Sequence, residues 1–506
     1  MNTENNKIGF VVAGLLLAIL MSSMDNTIVA TAMGTIVSDL GGLDKFIWVT
    51  SAYMVAEMAG MPIFGKLSDM FGRKRFFILG IVLFLFGSIL CGTAQSIEQL
   101  SVYRAIQGIG GGALIPITFT ILFDIFPPEK RGKMTGLFGA VFGLSSIFGP
   151  LLGAYITDYI SWHWIFYINL PLGLISFFLI FKYYQESLEH SKQKIDWIGA
   201  FTLVGAVICL MFALELGGNE YDWDSINIIS LFVGFVILFI TFLVVETKAS
   251  DPVISFNMFK DRLFASSTLV GLFYGIAFIV ASIYIPLYVQ GVTGGTATNS
   301  GLILLPMMLG VVVSSQLGAI LASRIGYRNV MMAFAVIFII GIYLLGTLTV
   351  DTPKLILTLY MIIVGLGTGA SFSVLSMAAI HHMDARQRGS ANSTISFVRQ
   401  LGMTIGITVY GIIQRNIFSE HMHDSFEGSG QAFQGSDPRS LLSPEARKAI
   451  PEPILEKITD ALSSSIAQTF IWALIPAALV IVFVFMLTND KLAMSTPATK
   501  QEPQTE

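Results

Sequence analysis

Three charged residues lie inside long apolar runs of this sequence, namely Asp25, Glu57 and Arg104. Burying a charge in an apolar helix is costly, so each of them is a candidate functional group. A carboxylate that alternates between its protonated and ionised forms can bind a proton and a cation in turn. Asp25 and Arg104 have opposite charges and could instead form a static buried ion pair, so both interpretations remain open.

A second constellation is the segment Gly65-Lys-Leu-Ser-Asp69-Met-Phe-Gly72-Arg73-Lys74-Arg75, which follows an apolar run. Its glycines permit a tight turn, and an aspartate among basic residues can form charge-assisted hydrogen bonds to another helix end. A basic loop that only sets membrane topology would account for Arg73 to Arg75 but not for Asp69. The segment is therefore predicted to contact a second helix.

A third constellation is a series of small residues, Gly139-x3-Gly143-x5-Gly149-Pro150-x2-Gly153. Pro150 removes a backbone hydrogen bond, and Gly149 and Gly153 leave the backbone bare. The helix that carries them is expected either to bend as a hinge or to let another helix pack closely.

The runs that carry these residues are long enough to cross a bilayer. Of 506 residues, 54% are hydrophobic and 12% are charged, whereas soluble domains carry roughly 25% charged residues. A spanning helix needs about 20 mostly apolar residues. Fourteen such runs occur, with approximate cores at 10–30, 47–67, 76–95, 101–123, 134–157, 163–183, 197–216, 226–246, 264–288, 299–322, 329–349, 355–379, 393–415 and 467–487. The sequence thus predicts an all-α integral membrane protein of the cell membrane with fourteen transmembrane helices.

Lysine and arginine indicate the orientation. With the N-terminus in the cytoplasm, 21 of the 29 Lys and Arg residues lie on the inner side, seven lie outside and Arg104 lies within a span. Five of the outer seven belong to the long segment after the thirteenth run, and long loops carry little topological weight. Both termini are therefore expected in the cytoplasm.

The chain also repeats itself. Gly108-Ile-Gly-Gly-Gly-Ala113 recurs as Gly365-Leu-Gly-Thr-Gly-Ala370, and Arg131-Gly132 recurs as Arg388-Gly389, both 257 residues further on. One offset shared across three helices indicates duplicated halves of six helices, with the seventh and eighth helices as an insert. The predicted 6+2+6 arrangement has halves at 1–190 and 251–490, inserted helices at 191–250, an outer loop at 416–465 and a cytoplasmic tail at 491–506.

The depths of the charged residues follow from the orientation and the helical rise of 1.5 Å per residue. Asp25 lies ~22 Å from the inner face and Arg104 about 5 Å below the outer surface, so the two share a depth and are expected to pair. Glu57 lies about 15 Å from the outer face, near the midplane, with no basic residue at its depth. We therefore expect Glu57 to bind a proton or a cation.

On these motifs the chain resembles the major facilitator superfamily, whose loop signature G-x-L-x-D-x-x-G-R-[RK] matches residues 65–74; in a decayed second copy Ser323 takes the place of Asp69. Further stretches are similar to the fourteen-helix drug:proton antiporters: Met24-Asp25-Asn-Thr27-Ile-Val29, Arg104-Ala-Ile-Gln107-Gly108, the glycine-proline series, and Trp162-His163-Trp164-Ile-Phe-Tyr-Ile-Asn169-Leu-Pro171. Parallel six-helix halves of this kind imply alternating access around a central site.

The resemblance implies that the second constellation is a conformational latch, made of Gly65, Asp69, Gly72, Arg73 and Lys74. Asp69 should approach the N-terminus of the thirteenth helix, near residues 391–399, where the helix dipole attracts an anion. This contact should favour an outward-open state.

Aromatic and methionine side chains are candidates for a pliable substrate pocket, although most such residues in spanning helices face lipid or other helices. The candidates are Phe119, Phe123, Phe142, Tyr274, Tyr284, Met307, Met308 and Phe372.

Together these features predict an exporter, active as a monomer, that exchanges protons for hydrophobic and often cationic drugs, dyes or quaternary ammonium compounds. A carboxylate that binds either a proton or a substrate couples the two by competition. The proton gradient would supply the energy, without a cofactor or metal. The alternative is an exporter of one endogenous metabolite, peptide or siderophore.

Other classes fit less well. A sensor or scaffold usually has a sizeable effector domain. An enzyme is disfavoured because no cluster of His, Cys and carboxylate residues has the spacing of metal ligands. The net charge of −4 offers no basic surface for nucleic acid.

Overall fold

The structure is a computed structural model that describes residues 2–41, 47–186, 196–218, 220–295, 297–426 and 451–491. Some side chains inside these ranges, that of Phe142 among them, lie outside the description. Of the predicted tail at 491–506, only residue 491 belongs to the described residues.

The described chain is a bundle of helices. The α-helices are α1 Asn2–Leu40, α2 Ile47–Phe71, α3 Arg73–Cys91, α4 Ile97–Ile125, α5 Pro128–Tyr159, α6 Trp164–Tyr167, α7 Asn169–Tyr183, α8 Trp197–Leu216, α9 Ile226–Lys248, α10 Arg262–Leu287, α11 Ala297–Ile325, α12 Tyr327–Leu345, α13 Lys354–Ala379, α14 Arg388–Phe426 and α15 Glu452–Met486. A 3₁₀-helix, Phe256–Lys260, precedes α10, and a π-helical turn, Tyr288–Val292, follows it.

Twelve spans in the described residues are long and apolar enough to cross a membrane, with α6 and α7 counted as one. The prediction of an all-helical, multi-pass membrane protein is confirmed. The predicted total of fourteen also needs α2 and α5, which have 25 and 32 residues and pack within the same bundle.

Polar residues at the helix starts explain where several helices begin. The side chains of Ser96, Asp196, Ser225 and Asp261 accept hydrogen bonds from backbone N–H groups in the first turns of α4, α8, α9 and α10. These N–H groups have no partner within the helix, so each cap stabilises its helix by about 1 kcal/mol.

Two glycines in the left-handed region set the sharp turns between paired helices. Gly72, between α2 and α3, has φ 103°, and Gly326, between α11 and α12, has φ 88°. Both are the glycines of the loop signature and of its decayed copy. We call the end of the bundle that carries Gly72 and Asp69 the Asp69 end.

The repeated glycines occupy equivalent packing positions. Gly108 lies against the backbone carbonyl of Tyr53 in α2, and Gly365 lies against that of Met307 in α11. In both pairs a side chain at the glycine would overlap the facing backbone, so the helices can approach closely only because it is absent. This is the packing expected of duplicated halves.

Helices α8 and α9 pack against each other, and α8 also packs beside α2 and α14. Ala200 and Leu203 of α8 share an apolar cluster with Met58 of α2 and Phe397 of α14. The two predicted inserted helices therefore lie next to the seam at which α2 meets α14.

The predicted outer loop at 416–465 is wrong at both ends. Helix α14 continues to Phe426, and α15 begins at Glu452 and runs on without a break into the last apolar span. Hydropathy marks only the apolar part of a helix, so polar turns that extend it were assigned to the loop. Residues 427–450 lie outside the described residues.

Candidate functional site

The carboxylate of Asp25 lies at the centre of a buried polar network. Asp25 and Arg104 are both fully buried, and an Arg104 Nη1 nitrogen forms an ion pair with Asp25 Oδ2. Gln107 Nε2 and Asn169 Nδ2 each donate a hydrogen bond of 2.8 Å to Asp25 Oδ1. The pairing predicted from matched depths is confirmed, and N–H donors from three side chains satisfy the carboxylate.

Ser88 and Gln107 extend this network across α3 and α4. Gln107 Oε1 accepts from Arg104 Nη1 at 2.7 Å, and Gln107 Nε2 donates to Ser88 Oγ at 2.8 Å. Asn169 also donates to Ser88, at 3.2 Å. Gln107 and Asn169 belong to the sequence motifs, but the motifs did not indicate that these residues contact Asp25. The reason is that Asp25, Gln107 and Asn169 come from three different helices, α1, α4 and α7.

Glu57 lies beside this network without joining it. Its side chain is 4% exposed, and no group in the described part of the chain forms a hydrogen bond with its carboxylate. Tyr53, one turn earlier on α2, packs its ring 4.1 Å from the Arg104 guanidinium. Glu57 is close enough to interact electrostatically with Asp25 and Arg104, so the expectation that no basic residue lies near its depth is wrong. A buried carboxylate with no bonded partner is the group best placed in this half to exchange a proton for a cation.

The second half has no equivalent of these charges. Gly112 lies against the carbonyl of Glu57 just as Gly369 lies against that of Val311, so Val311 is the counterpart of Glu57. At the repeat offset of 257, Met361 is the counterpart of Arg104. Both counterparts are buried and apolar. Among the described residues, the charges of Glu57 and Arg104 are therefore not repeated in the second half.

Asp69 joins the two halves by capping the start of α14. Its Oδ1 accepts from the Gly389 N–H at 2.9 Å, and its Oδ2 accepts from the Ser390 N–H at 2.7 Å and from Ser390 Oγ at 3.0 Å. The predicted contact of Asp69 with this helix N-terminus is confirmed, but it falls at 389–390 rather than 391–399. The difference arises because α14 begins at Arg388, five residues before the apolar core starts.

Arg73 and Asp124 complete the contact. Arg73 is fully buried, forms an ion pair with Asp124 of α4, and donates from Nη2 to the Ala385 carbonyl at 2.6 Å. Arg388 of α14 lies 3.3 Å from Asp124. Sequence reasoning missed Asp124, although its place at the end of a predicted span, on the same side as the loop signature, was a usable signal.

Two more latch residues have different roles. Gly65 packs against Ser393 and the Gly389 carbonyl, so it lies at the contact between halves. Lys74 makes no such contact among the described residues: its backbone N–H donates to Glu186 at 2.9 Å, and its ammonium lies 5.6 Å from the Phe181 ring. Its predicted place in the latch is wrong, because α3 turns this side chain towards α7.

At the corresponding contact in the second half, serine, tyrosine and histidine stand where Asp69, Arg73 and Asp124 stand in the first half. Ser323 bonds within its own helix, to the Ile320 carbonyl at 2.7 Å. Tyr327 Oη lies 3.0 Å from Nδ1 of His381, and these two residues stand where Arg73 and Asp124 stand in the first half. Burial lowers the pKa of His381, so this hydrogen bond is neutral near pH 7. An arginine–aspartate pair occupies these positions in the first half alone.

The glycine-proline series packs α5 onto α1. Gly149 lies against the Thr27 side chain, Gly153 lies against the Ile28 carbonyl, and α5 continues through Pro150. Of the two interpretations of this series, close packing describes the contact in this conformation. Movement at Gly149, Pro150 and Gly153 remains a prediction.

Several pocket candidates fill the interior of one half instead of facing a shared space. Tyr274 donates from its hydroxyl to the Gly367 carbonyl at 3.2 Å and packs 5.0 Å from the Phe338 ring. Phe123 and Met307 are fully buried. In this conformation these three side chains pack within one half, because apolar character alone does not reveal which way a side chain faces; their contact with substrate stays a prediction.

The remaining candidates are more varied. Tyr284 is nearly buried, whereas Phe119 and Met308 are half-buried against the main core. The Phe142 side chain lies outside the described residues. Phe372 is half-buried, and the guanidinium of Arg399 lies 4.7 Å from its ring. Arg399 is a further intramembrane charge that sequence reasoning missed, because it was assigned to the helix end rather than to the span interior.

Comparison with known proteins gives consistent results along the whole chain. A family model described as Major Facilitator Superfamily matches residues 15–199 and 195–407. Multidrug resistance protein 3 of Bacillus subtilis (strain 168) is 55% identical over 498 residues, covering 97% of both chains. The multidrug transporter protein MdtP of the same organism is 34% identical over 523 residues, covering 99% of this chain and 97% of the relative.

Solved structures share the fold at much lower identity. The human organic anion transporter MFSD10 superposes with a TM-score of 0.59 at 15% identity, covering 94% of this chain and 100% of that one. The proton:xylose symporter XylE superposes with a TM-score of 0.60 at 13% identity, covering 97% of this chain and 98% of that one. At these identities the likeness concerns the fold alone.

Proposed function

The chain belongs to the major facilitator superfamily, and we propose that it is a proton-coupled antiporter that exports hydrophobic, often cationic compounds across the cell membrane. It is a multi-pass membrane transporter rather than an enzyme, and curated relatives carry the names of multidrug transporters. The observation that carries the proposal is the state of Glu57, a buried carboxylate without a hydrogen-bond partner in the described residues, beside a fully bonded Asp25–Arg104 pair.

The coupling follows from competition at Glu57. A proton and a cationic substrate each neutralise this carboxylate, so binding of one disfavours binding of the other. Neutralisation also removes the cost of an uncompensated charge in the membrane interior, which lets the loaded site change its exposure. The Asp25–Arg104 pair holds α1 and α4 together and sets the field in which Glu57 binds its ligand.

The latch selects between the two exposures. We place the Asp69 end in the cytoplasm, as the distribution of Lys and Arg indicates, with both termini on that side. Asp69, Arg73 and Asp124 join the halves at this end, so the described conformation is closed towards the cytoplasm and corresponds to an outward-facing state. Breaking these contacts would open the cytoplasmic side.

The proposed architecture is fourteen spans arranged as 6+2+6. The equivalent glycine packing of α2 on α4 and of α11 on α13 supports two related halves. The position of α8 beside α2 and α14 supports an insert that lies against the seam without belonging to either half.

Uptake of the cationic dye rhodamine 123 into inverted membrane vesicles tests the proposal. With the vesicle interior made acidic, the protein should accumulate the dye, and an uncoupler should abolish accumulation. Uptake that continues unchanged after the uncoupler has collapsed the proton gradient would contradict proton coupling.

A further inference from the structure

Arg399 is a half-buried cation in the second half with no carboxylate partner among the described residues. Its Nη2 donates to the Ser371 carbonyl at 3.1 Å, and its guanidinium lies 4.7 Å from the Phe372 ring. Its Nε–H is buried and has no hydrogen-bond partner in the described part of the chain. Guanidinium has five N–H donors in a planar fork that fits a carboxylate, so this arrangement leaves donors for a ligand.

The level of Arg399 matches that of Glu57. Helices α2 and α14 run antiparallel, since Asp69 meets Ser390 and Gly65 meets Ser393. Equal numbers of residues from the contact between Gly65 and Ser393 reach the same level on the two helices. Glu57 lies eight residues before Gly65, and the position eight residues after Ser393 is 401. Arg399 is therefore within about 3 Å of the level of Glu57 along the bundle.

The two charges come from opposite halves. Glu57 faces Gly111 of α4: a Cβ atom added at Gly111 would lie 3.6 Å from Glu57 Oε1. Arg399 instead contacts Ser371 and Phe372 of α13. A single molecule that bonds to both must bridge the halves, which is where an alternating-access transporter holds its substrate.

The surroundings of Arg399 suit an internal site rather than a lipid-facing surface. Ser396 lies about one turn before Arg399 on the same side of α14, and Gln400 follows Arg399 directly; both are half-buried, as Arg399 is. Polar and charged side chains facing hydrocarbon would be costly, so this part of α14 faces the inside of the bundle.

We propose that Arg399 binds the anionic group of zwitterionic amphiphiles, while Glu57 binds their cationic group. The substrate class would thus be flat amphiphiles that carry a carboxylate as well as a positive charge, with Phe372 offering a face on which an aromatic body can stack. This inference rests on the proposed export function and specifies which compounds the site favours.

A matched pair of dyes tests the proposal. Rhodamine 110 carries a free carboxylate and is zwitterionic, whereas rhodamine 123 is the methyl ester of the same dye and is a cation. Uptake of both would be measured in inverted vesicles under one imposed pH gradient, for the wild-type protein and for Arg399→Gln, Arg399→Lys and Arg415→Gln. Arg415 is an exposed arginine at the far end of α14, so its replacement is the matched control.

The wild-type protein should transport both dyes. Loss of one charge-assisted hydrogen bond weakens binding about tenfold. Arg399→Gln should therefore lower the ratio of rhodamine 110 uptake to rhodamine 123 uptake about tenfold. Arg399→Lys should lower that ratio less, because it keeps the charge but loses the fork geometry. Arg415→Gln should keep the wild-type ratio.

The ratio separates recognition from folding, since a misfolded variant loses both dyes together. An unchanged ratio in Arg399→Gln, whatever the absolute rates, would overturn the proposal. So would a wild-type protein that transports the ester but not the acid, while proton-coupled export itself would stand. A wild-type protein that accumulates neither dye under the imposed pH gradient would instead refute the export function.

Discussion

Replacing Asp69 with asparagine should open the Asp69 end. The carboxylate accepts three hydrogen bonds from Gly389 and Ser390 across the halves. Asparagine keeps one acceptor oxygen but loses the other, together with the charge at the helix N-terminus. A hydrogen bond to a charged group is worth ~1.5–3 kcal/mol and the helix-end term ~0.3–1 kcal/mol. The closed state should therefore lose about 2–4 kcal/mol, which lowers the closed-to-open ratio at least ~30-fold.

Spin labels on the two halves measure this ratio. Arg75 and Arg386 are exposed at the Asp69 end, one on each half, and can be replaced by labelled cysteines after Cys91 and Cys209 are changed to alanine. Double electron–electron resonance should show one short distance in the parent protein and a growing longer distance with Asp69→Asn.

The second half supplies the control. Ser323 occupies the position of Asp69 in the decayed motif and bonds only within its own helix, so Ser323→Ala should leave the distance distribution unchanged. If Asp69→Asn also leaves it unchanged, the hydrogen bonds to α14 do not hold the halves together, and the latch would have to rest on Arg73 and Asp124 alone.

Two further predictions concern the first half. Arg104→Ala should lower the free energy of unfolding in detergent by about 3–5 kcal/mol and shift the pH dependence of efflux, because it leaves the buried Asp25 carboxylate without its cation. Wild-type values for both measurements would contradict the role assigned to the Asp25–Arg104 pair. Gly149→Val should reduce the yield of folded protein and lower stability by about 1–3 kcal/mol, since its side chain would overlap Thr27 of α1. Gly34→Ala, where an added Cβ meets nothing within 4 Å, should be close to neutral, and equal effects of the two changes would refute the close-packing interpretation.

The sequence was most informative where physical cost restricts the possibilities. An uncompensated charge in an apolar span is costly, so the matched depth of two opposite charges was enough to pair Asp25 with Arg104. The loop signature likewise indicated the helix end that Asp69 caps, with an error of two residues. That error reflects the difference between the apolar core of a span and the full length of its helix.

Side-chain direction was the information that the sequence did not contain. Tyr274 and Met307 have the composition of pocket residues, but they pack inside one half because hydropathy does not distinguish a cavity from a core. Asp124 was missed because its partner Arg73 lies on a different helix, and the one signal that relates the two is that both lie at span ends on the same side. Arg399 was missed because the span boundary was drawn too close to it.

Proton release on dye binding tests the central claim most directly. Purified protein in weakly buffered detergent solution would be mixed with rhodamine 123, and released protons would be followed with a pH indicator. The wild-type protein should release protons as the dye binds, and Glu57→Gln should release none, because the amide keeps the shape of the side chain without its exchangeable proton. Glu98→Gln, which removes an exposed carboxylate on α4, should behave as wild type. Wild-type proton release by Glu57→Gln would contradict the assignment of coupling to Glu57.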